Sequence, residues 1–170
     1  MRKIAVIGGG GVRTPLLIYG LAQAQPKLDI SELVLFDVDP ERTGIISRLG
    51  SEVLRKFWSP FPITVASSLE SAVDGADFVV NSVRVGGMSG RSRDERIAIQ
   101  HGLAGQETTG PGGAAMALRT VPIVISYART IERLAPRAWF INFTNPAGLI
   151  TQALLNRTKV RAIGIRFWTR

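Results

Sequence analysis

Residues 4–7, Ile-Ala-Val-Ile, run straight into four glycines, Gly8, Gly9, Gly10 and Gly11. An unbroken apolar run of this length suits a strand covered on both faces, as in a parallel sheet. The glycines permit a tight turn, and Thr14-Pro15 beyond them suits a helix start, where proline is tolerated. Strand, glycine turn and helix in that order point to the α/β class.

The alternation continues along the chain. Short β-branched runs predict strands at 3–7, 33–36, 63–66, 78–83, 138–143 and 161–165. Amphipathic stretches between them predict helices at 15–24, 40–57, 69–73, 93–101, 113–134 and 146–156. In the second helix Ile45, Ile46, Leu49, Val53 and Leu54 recur at helical spacing and predict its core face. Asp39-Pro40 supplies a cap and a first-turn proline, and Pro122 predicts a kink near Thr120–Val121. Six strands with crossovers predict a doubly wound parallel sheet of Rossmann type, order 3-2-1-4-5-6. Ligands of such sheets bind beyond the carboxyl ends of the strands, which selects the loops at 8–14, 37–39, 82–90 and 144–148.

Composition narrows the partners. The 170 residues contain no cysteine and one histidine, His101, which excludes thiolate and multi-histidine zinc sites and suits a reducing, cytoplasmic setting. Of the formal +8 charge, +5 lies in the last fourteen residues, on Arg157, Lys159, Arg161, Arg166 and Arg170. The other 156 residues carry 16 basic and 13 acidic side chains, a net +3 with no basic stripe. That pattern argues against a nucleic-acid partner. No apolar stretch approaches the roughly 18 residues needed to span a bilayer, so no membrane partner is expected.

The glycine turn carries the first chemical signal. Read as G-x-G-x-x-G, Gly8 and Gly10 fill the first two positions and Arg13 stands at the third. Such a turn brings backbone N–H groups toward a pyrophosphate at a helix N-terminus. Asp37 ends the second apolar run, 24 positions beyond Arg13, near the spacing of a ribose-binding acid. A carboxylate there accepts from ribose hydroxyls and repels a 2′-phosphate, favouring NAD over NADP. The alternative is an ordinary turn, with Asp37 capping the next helix.

Two later segments carry polar groups at the expected mouth of the sheet. Arg84, Arg91, Arg93 and Arg96 occupy a glycine-rich stretch that suits a bidentate grip on an anionic substrate, or pairing with Asp94 and Glu95. Glu107 is the one acid in Gln106-Glu107-Thr108-Thr109-Gly110-Pro111-Gly112-Gly113, either a site group or a helix-cap acid. Asn145, before Pro146, can bind a substrate hydroxyl or carbonyl, or shape a turn.

These stretches resemble glycoside hydrolase family 4, the NAD- and manganese-dependent 6-phospho-glucosidases and α-galactosidases. The resemblance is carried by residues 7–15, Arg84-Val85-Gly86-Gly87, the 105–113 run, Ala117-Leu118-Arg119-Thr120 and 142–148. Lactate and malate dehydrogenases share the fold and the Asn-Pro loop but lack the 105–113 run. The resemblance implies hydrolysis of a phosphorylated disaccharide or glycoside, a 6-phospho-β-glucoside above all. Its steps are C3 oxidation by NAD⁺, elimination at C1, water addition and re-reduction, with a divalent metal and a tyrosine base. Carried over by residue, Arg91 and Asn145 match substrate contacts, and Glu107 matches the acid that tunes the tyrosine. Gly8, Gly9, Gly10, Gly11 and Asp37 match the cofactor turn.

The resemblance stops at residue 165. Arg166 and Phe167 stand where the family has its metal-ligand cysteine and the residue after it. The expectation is therefore a cofactor domain at 1–165, an aberrant tail at 166–170, and no second, metal-binding domain, in a truncated, homo-oligomeric and catalytically inactive chain. Tyr19 and Tyr127 read as packing residues, and His101 as a helix end.

Overall fold

The computed structural model describes residues 1–58 and 61–165, so the expected tail at 166–170, with Arg166 and Phe167, lies outside the described residues. Six strands form one parallel sheet: β1 Arg2–Ile7, β2 Ile30–Phe36, β3 Ile63–Val65, β4 Phe78–Asn81, β5 Trp139–Asn142 and β6 Arg161–Gly164. Their order is β3-β2-β1-β4-β5-β6, the expected doubly wound arrangement, with the switch between β1 and β4. Helices α1 Thr14–Leu28, α2 Pro40–Lys56, α3 Leu69–Val73, α4 Gly87–Gln100, α5 Gly110–Leu134 and α6 Ala147–Arg157 connect them. None is long and apolar enough to cross a membrane among the described residues.

Two apolar clusters lie on the two sides of the sheet. One joins β1, β4 and β5 to α3, α5 and α6 through Ile7, Val79, Phe140, Ile131 and Leu154. The other joins β1 and β2 to α1 and α2 through Val6, Leu33, Leu35, Ile18 and Leu54. The pleat explains the split: Val6 and Ile7 are neighbours in β1 that point to opposite faces.

Two expectations change. Of the expected core face of α2, Leu54 is buried and Ile46 and Val53 pack against the core, but Ile45 and Leu49 are each 49% exposed, and Thr43 and Gly50 are buried instead. The reason is Gly50, where a Cβ would stand 2.5 Å from Ile18 Cδ1 and 2.8 Å from Ile63 Cδ1. Removing that side chain lets α1 and β3 press into α2 at Gly50, and Ile45 and Leu49 are left facing outward while Ile46, Val53 and Leu54 keep to the core. Thr43 tolerates burial because its hydroxyl donates to Asp39 O at 2.7 Å. Second, α1 runs to Leu28 through Pro26, and Gln25 both donates to Ile30 O and accepts from Ile30 N, which ties the helix end to β2. The helix expected through Pro122 is present, with α5 running on both sides of it and its ring exposed.

Candidate functional site

A cleft of about 640 Å³ opens along the carboxyl ends of β1, β2, β4 and β5. At one end lie Asp37, Val38, Gly8 and Gly11; at the other lie Arg84, Glu107 and Asn145. The topology dictates this: loops diverge where the strand order reverses, leaving a crevice between them.

At the β1 end, local backbone demands account for the glycines. Gly8 has φ +88°, and a Cβ there would sit 2.5 Å from Ser82 O. A Cβ on Gly9 would meet Leu35 Cβ at 2.9 Å, so Gly9 lies against β2 rather than in the cleft. Gly10 N donates to Asp37 Oδ2 at 3.0 Å, and Arg42 Nη2 donates to Gly10 O at 3.1 Å. The Gly10 amide, expected to face a pyrophosphate, is therefore spent on Asp37. Val12, 83% exposed, lines the cleft at the start of α1, and its N–H has no hydrogen-bond partner among the described residues. The helix-capping role belongs to Asp39, which accepts from Arg42 N at 3.0 Å. Asp37 is instead held half-buried by two amides, with Asp39 N donating to its Oδ1 at 3.3 Å.

At the other end the fixing groups are side chains. Glu107, whose side chain is 12% exposed, takes Arg84 Nη1 on Oε1 at 3.1 Å and Arg91 Nη1 on Oε2 at 3.0 Å. Asn145 Nδ2 donates to the same Oε1 at 3.3 Å. Burial alone pushes the Glu107 carboxyl upward. The hydrogen bond and charge of Arg84, the Asn145 amide and the charge of Arg91 outweigh it and hold the group below its ordinary range. Glu107 does not act as a helix cap; that position is Thr109. Arg91 lies on α4, which begins at Gly87 rather than near Arg93, and its Nε also binds Glu95 at 2.7 Å. It reaches Glu107 from outside the cleft wall, whereas Arg84 lines the cleft itself. Arg93 and Arg96 are exposed on α4 and do not line the cleft.

Two supports of this end escaped the sequence reading. Arg119 on α5 grips Asp94 on α4 in a fork, at 3.1 and 2.6 Å, and donates from Nε to Val85 O at 2.9 Å. Asp94 is 5% exposed, and Gly86 and Gly90 leave room for the guanidinium. The second is an amide–hydroxyl latch at the strand ends. Asn81 Nδ2 donates to Asn142 Oδ1 at 2.9 Å and to Thr144 Oγ1 at 3.1 Å, and Val83 N donates to Thr144 Oγ1 at 2.9 Å. Asn81 and Asn142 pair in register, and an asparagine closing each of two apolar strands was the available signal. Among the described residues no cluster of three or more His, Cys, Asp or Glu could hold a metal ion. His101 ends α4 and is exposed.

Comparison with known proteins follows this geometry. The family model described as "Family 4 glycosyl hydrolase" matches residues 3–166. A protein of Bacillus subtilis described as a probable 6-phospho-beta-glucosidase is 40% identical over 163 residues, 95% of this chain and 37% of the relative. A 6-phospho-alpha-glucosidase of Lacticaseibacillus paracasei is 37% identical over 89% of this chain and 35% of its own length. A solved structure of the 6-phospho-beta glucosidase from Thermotoga maritima, with manganese, NAD⁺ and glucose-6-phosphate, superimposes with a TM-score of 0.91 at 38% identity. It covers 96% of this chain and 40% of the Thermotoga chain. The chain thus spans little more than a third of the length of the curated relatives it matches.

Proposed function

Because this chain belongs to the family 4 glycosyl hydrolases, we propose that it is the NAD-holding portion of a 6-phospho-glycosidase, acting on 6-phospho-β-glucosides. The observation that carries the reading is one continuous cleft with Asp37 and the glycine turn at one end and Arg84, Glu107 and Asn145 at the other. A dinucleotide laid along it puts its adenosine ribose at Asp37 and its nicotinamide toward Asn145.

The residues present fit that cofactor. The turn at Gly8 packs against Ser82 with no room for a side chain, and Asp37 keeps lone pairs free beyond its two amide contacts. The Val12 amide offers the pyrophosphate a donor. When bound, NAD⁺ supplies a hydride acceptor and later a hydride donor to a sugar carbon. Asn145 can hold a sugar hydroxyl through its amide oxygen, because its nitrogen is engaged by Glu107. Arg84 lining the cleft and Arg91 behind it on Glu107 bring two positive charges to the same end, which supports recognition of a 6-phosphate there. Glu107 spaces and orients both guanidiniums and the Asn145 amide. The described residues do not fit a manganese site, since no three His, Cys, Asp or Glu side chains among them cluster.

Titration of this chain with NAD⁺ and NADP⁺ tests the reading. NAD⁺ is expected to bind with preference, and Asp37→Ala to weaken it by about tenfold while narrowing the preference. Equal affinity of the wild-type chain for both cofactors overturns the role of Asp37. The 170-residue chain alone is expected to cleave no chromogenic 6-phospho-glycoside, with or without manganese; turnover above background overturns that. In a full-length relative's framework, Arg91→Ala is expected to raise KM for phosphorylated glycosides while leaving unphosphorylated ones unaffected.

A further inference from the structure

Tyr127 is the part of the cleft that the proposed function leaves unused. It lies one turn beyond Ile123 on α5, and both line the cleft together with Phe36, Asp37 and Val38. The ring is half-buried against the cluster that contains Val124 and Ile131. Its hydroxyl makes no hydrogen bond among the described residues, although a partly buried phenol ordinarily finds a partner. Packing explains the ring and leaves the hydroxyl unexplained. Val38, next to Asp37, poses the matching question, since it is apolar, lines the same cleft and is 85% exposed. Burial, and then the negative charge of Asp37, push the Tyr127 pKa upward, so the group stays an O–H donor through the neutral range.

We propose that Tyr127 positions the adenosine half of the dinucleotide, its ring and Ile123 forming the apolar wall beside Asp37 and its hydroxyl donating to an acceptor on the base or ribose. The assignment rests on the dinucleotide reading above. A planar base needs a flat apolar wall near the carboxylate that holds its ribose, and α5 supplies one at Tyr127. The hydroxyl adds direction to a surface that would otherwise only exclude water.

The test is calorimetric titration of the 170-residue chain with NAD⁺ and with AMP, which carries the adenosine half alone. Tyr127→Ala is expected to weaken both ligands by the same factor, about tenfold, as loss of an aromatic platform does. Tyr127→Phe keeps the ring and is expected to weaken both about threefold, with an unchanged melting temperature. That variant decides the matter should the alanine variant fold poorly, since a structural role for the ring would leave it at wild-type affinity. AMP binding by Tyr127→Phe equal to wild type overturns the role of the hydroxyl; wild-type affinity in both variants overturns the whole assignment. Absence of NAD⁺ and AMP binding in the wild-type chain overturns the dinucleotide reading itself, and the Tyr127 assignment falls with it.

Discussion

Backbone amides and absent side chains shape the β1 end of the cleft, whereas charged and amide side chains shape the β4–β5 end. Gly8, Gly9 and Gly10 each lie where a Cβ would press on a neighbour, at 2.5, 2.9 and 3.1 Å. Arg84, Arg91, Glu107 and Asn145 instead hold one another by contacts between 3.0 and 3.3 Å. A surface built from backbone cannot titrate and barely repacks, so one methyl group disrupts it. A surface built from ion pairs can exchange partners, which suits a region where an anionic group must compete for the same guanidiniums. Under the proposed function, rigidity at one end suits holding a cofactor and exchangeable charge at the other suits admitting a substrate.

The comparison breaks most readily at Gly8. Alanine there meets both a positive φ and the Ser82 carbonyl, so a loss of roughly 2–4 kcal/mol is expected, seen as a melting temperature lower by about 5–15 °C. A loss below about 1 kcal/mol would show that the turn is softer than its contacts imply. Next is Arg119→Ala, which strands the buried Asp94 carboxylate. A cost of about 2–3 kcal/mol by urea unfolding is expected, below that of a fully enclosed pair because Arg119 is partly exposed. Arg119→Lys should recover only part of it, since lysine cannot make the fork and reach Val85 O together.

Gly10→Ala sharpens the contrast within the backbone-built end. The added methyl lies 3.1 Å from Asp37 Oδ2, so it should shift that carboxylate and weaken NAD⁺ several-fold for about 1 kcal/mol of stability. The smallest effect concerns pH. Glu107 is held below the ordinary carboxylate range by its arginines, so its contribution is fully present above about pH 4–5 and fades as pH falls through the lowered value. Glu107→Gln should therefore narrow its stability gap to the wild type as pH drops, in urea melts across that range. A gap independent of pH would mean the carboxylate charge is not what fixes this end.

Legibility followed the range of the contacts. The glycine turn and Asp37 were readable because a strand period, a turn composition and a spacing lie within one βαβ unit. The start of α4 was not, because Gly87-Met88-Ser89-Gly90 has loop composition. Its helix is favoured by Arg119, a residue 29 positions beyond Gly90, whose guanidinium occupies the space a Gly90 side chain would need. Of the α2 core face, Ile46, Val53 and Leu54 were legible, but Ile45 and Leu49 were misplaced because apolar spacing alone cannot register that a glycine lets a neighbouring helix closer. Tyr127 read as packing, and its ring does pack on the core; that it also lines the cleft was not legible, because a helical period fixes its side of α5 but not what lies beyond the end of the sheet.

What the sequence determined by itself is the class of fold, the strand order and the glycine turn with Asp37 at one end of the cleft, since each depends on local period and on backbone geometry that only glycine permits. Tertiary structure decided the rest. It brought Glu107 to Arg84 across 23 positions and to Asn145 across 38, and it chose Arg84 rather than Arg91 to line the cleft. No periodicity links such residues. Their meeting is fixed only when the reversal of strand order brings the ends of β4 and β5 beside the turn that follows β1.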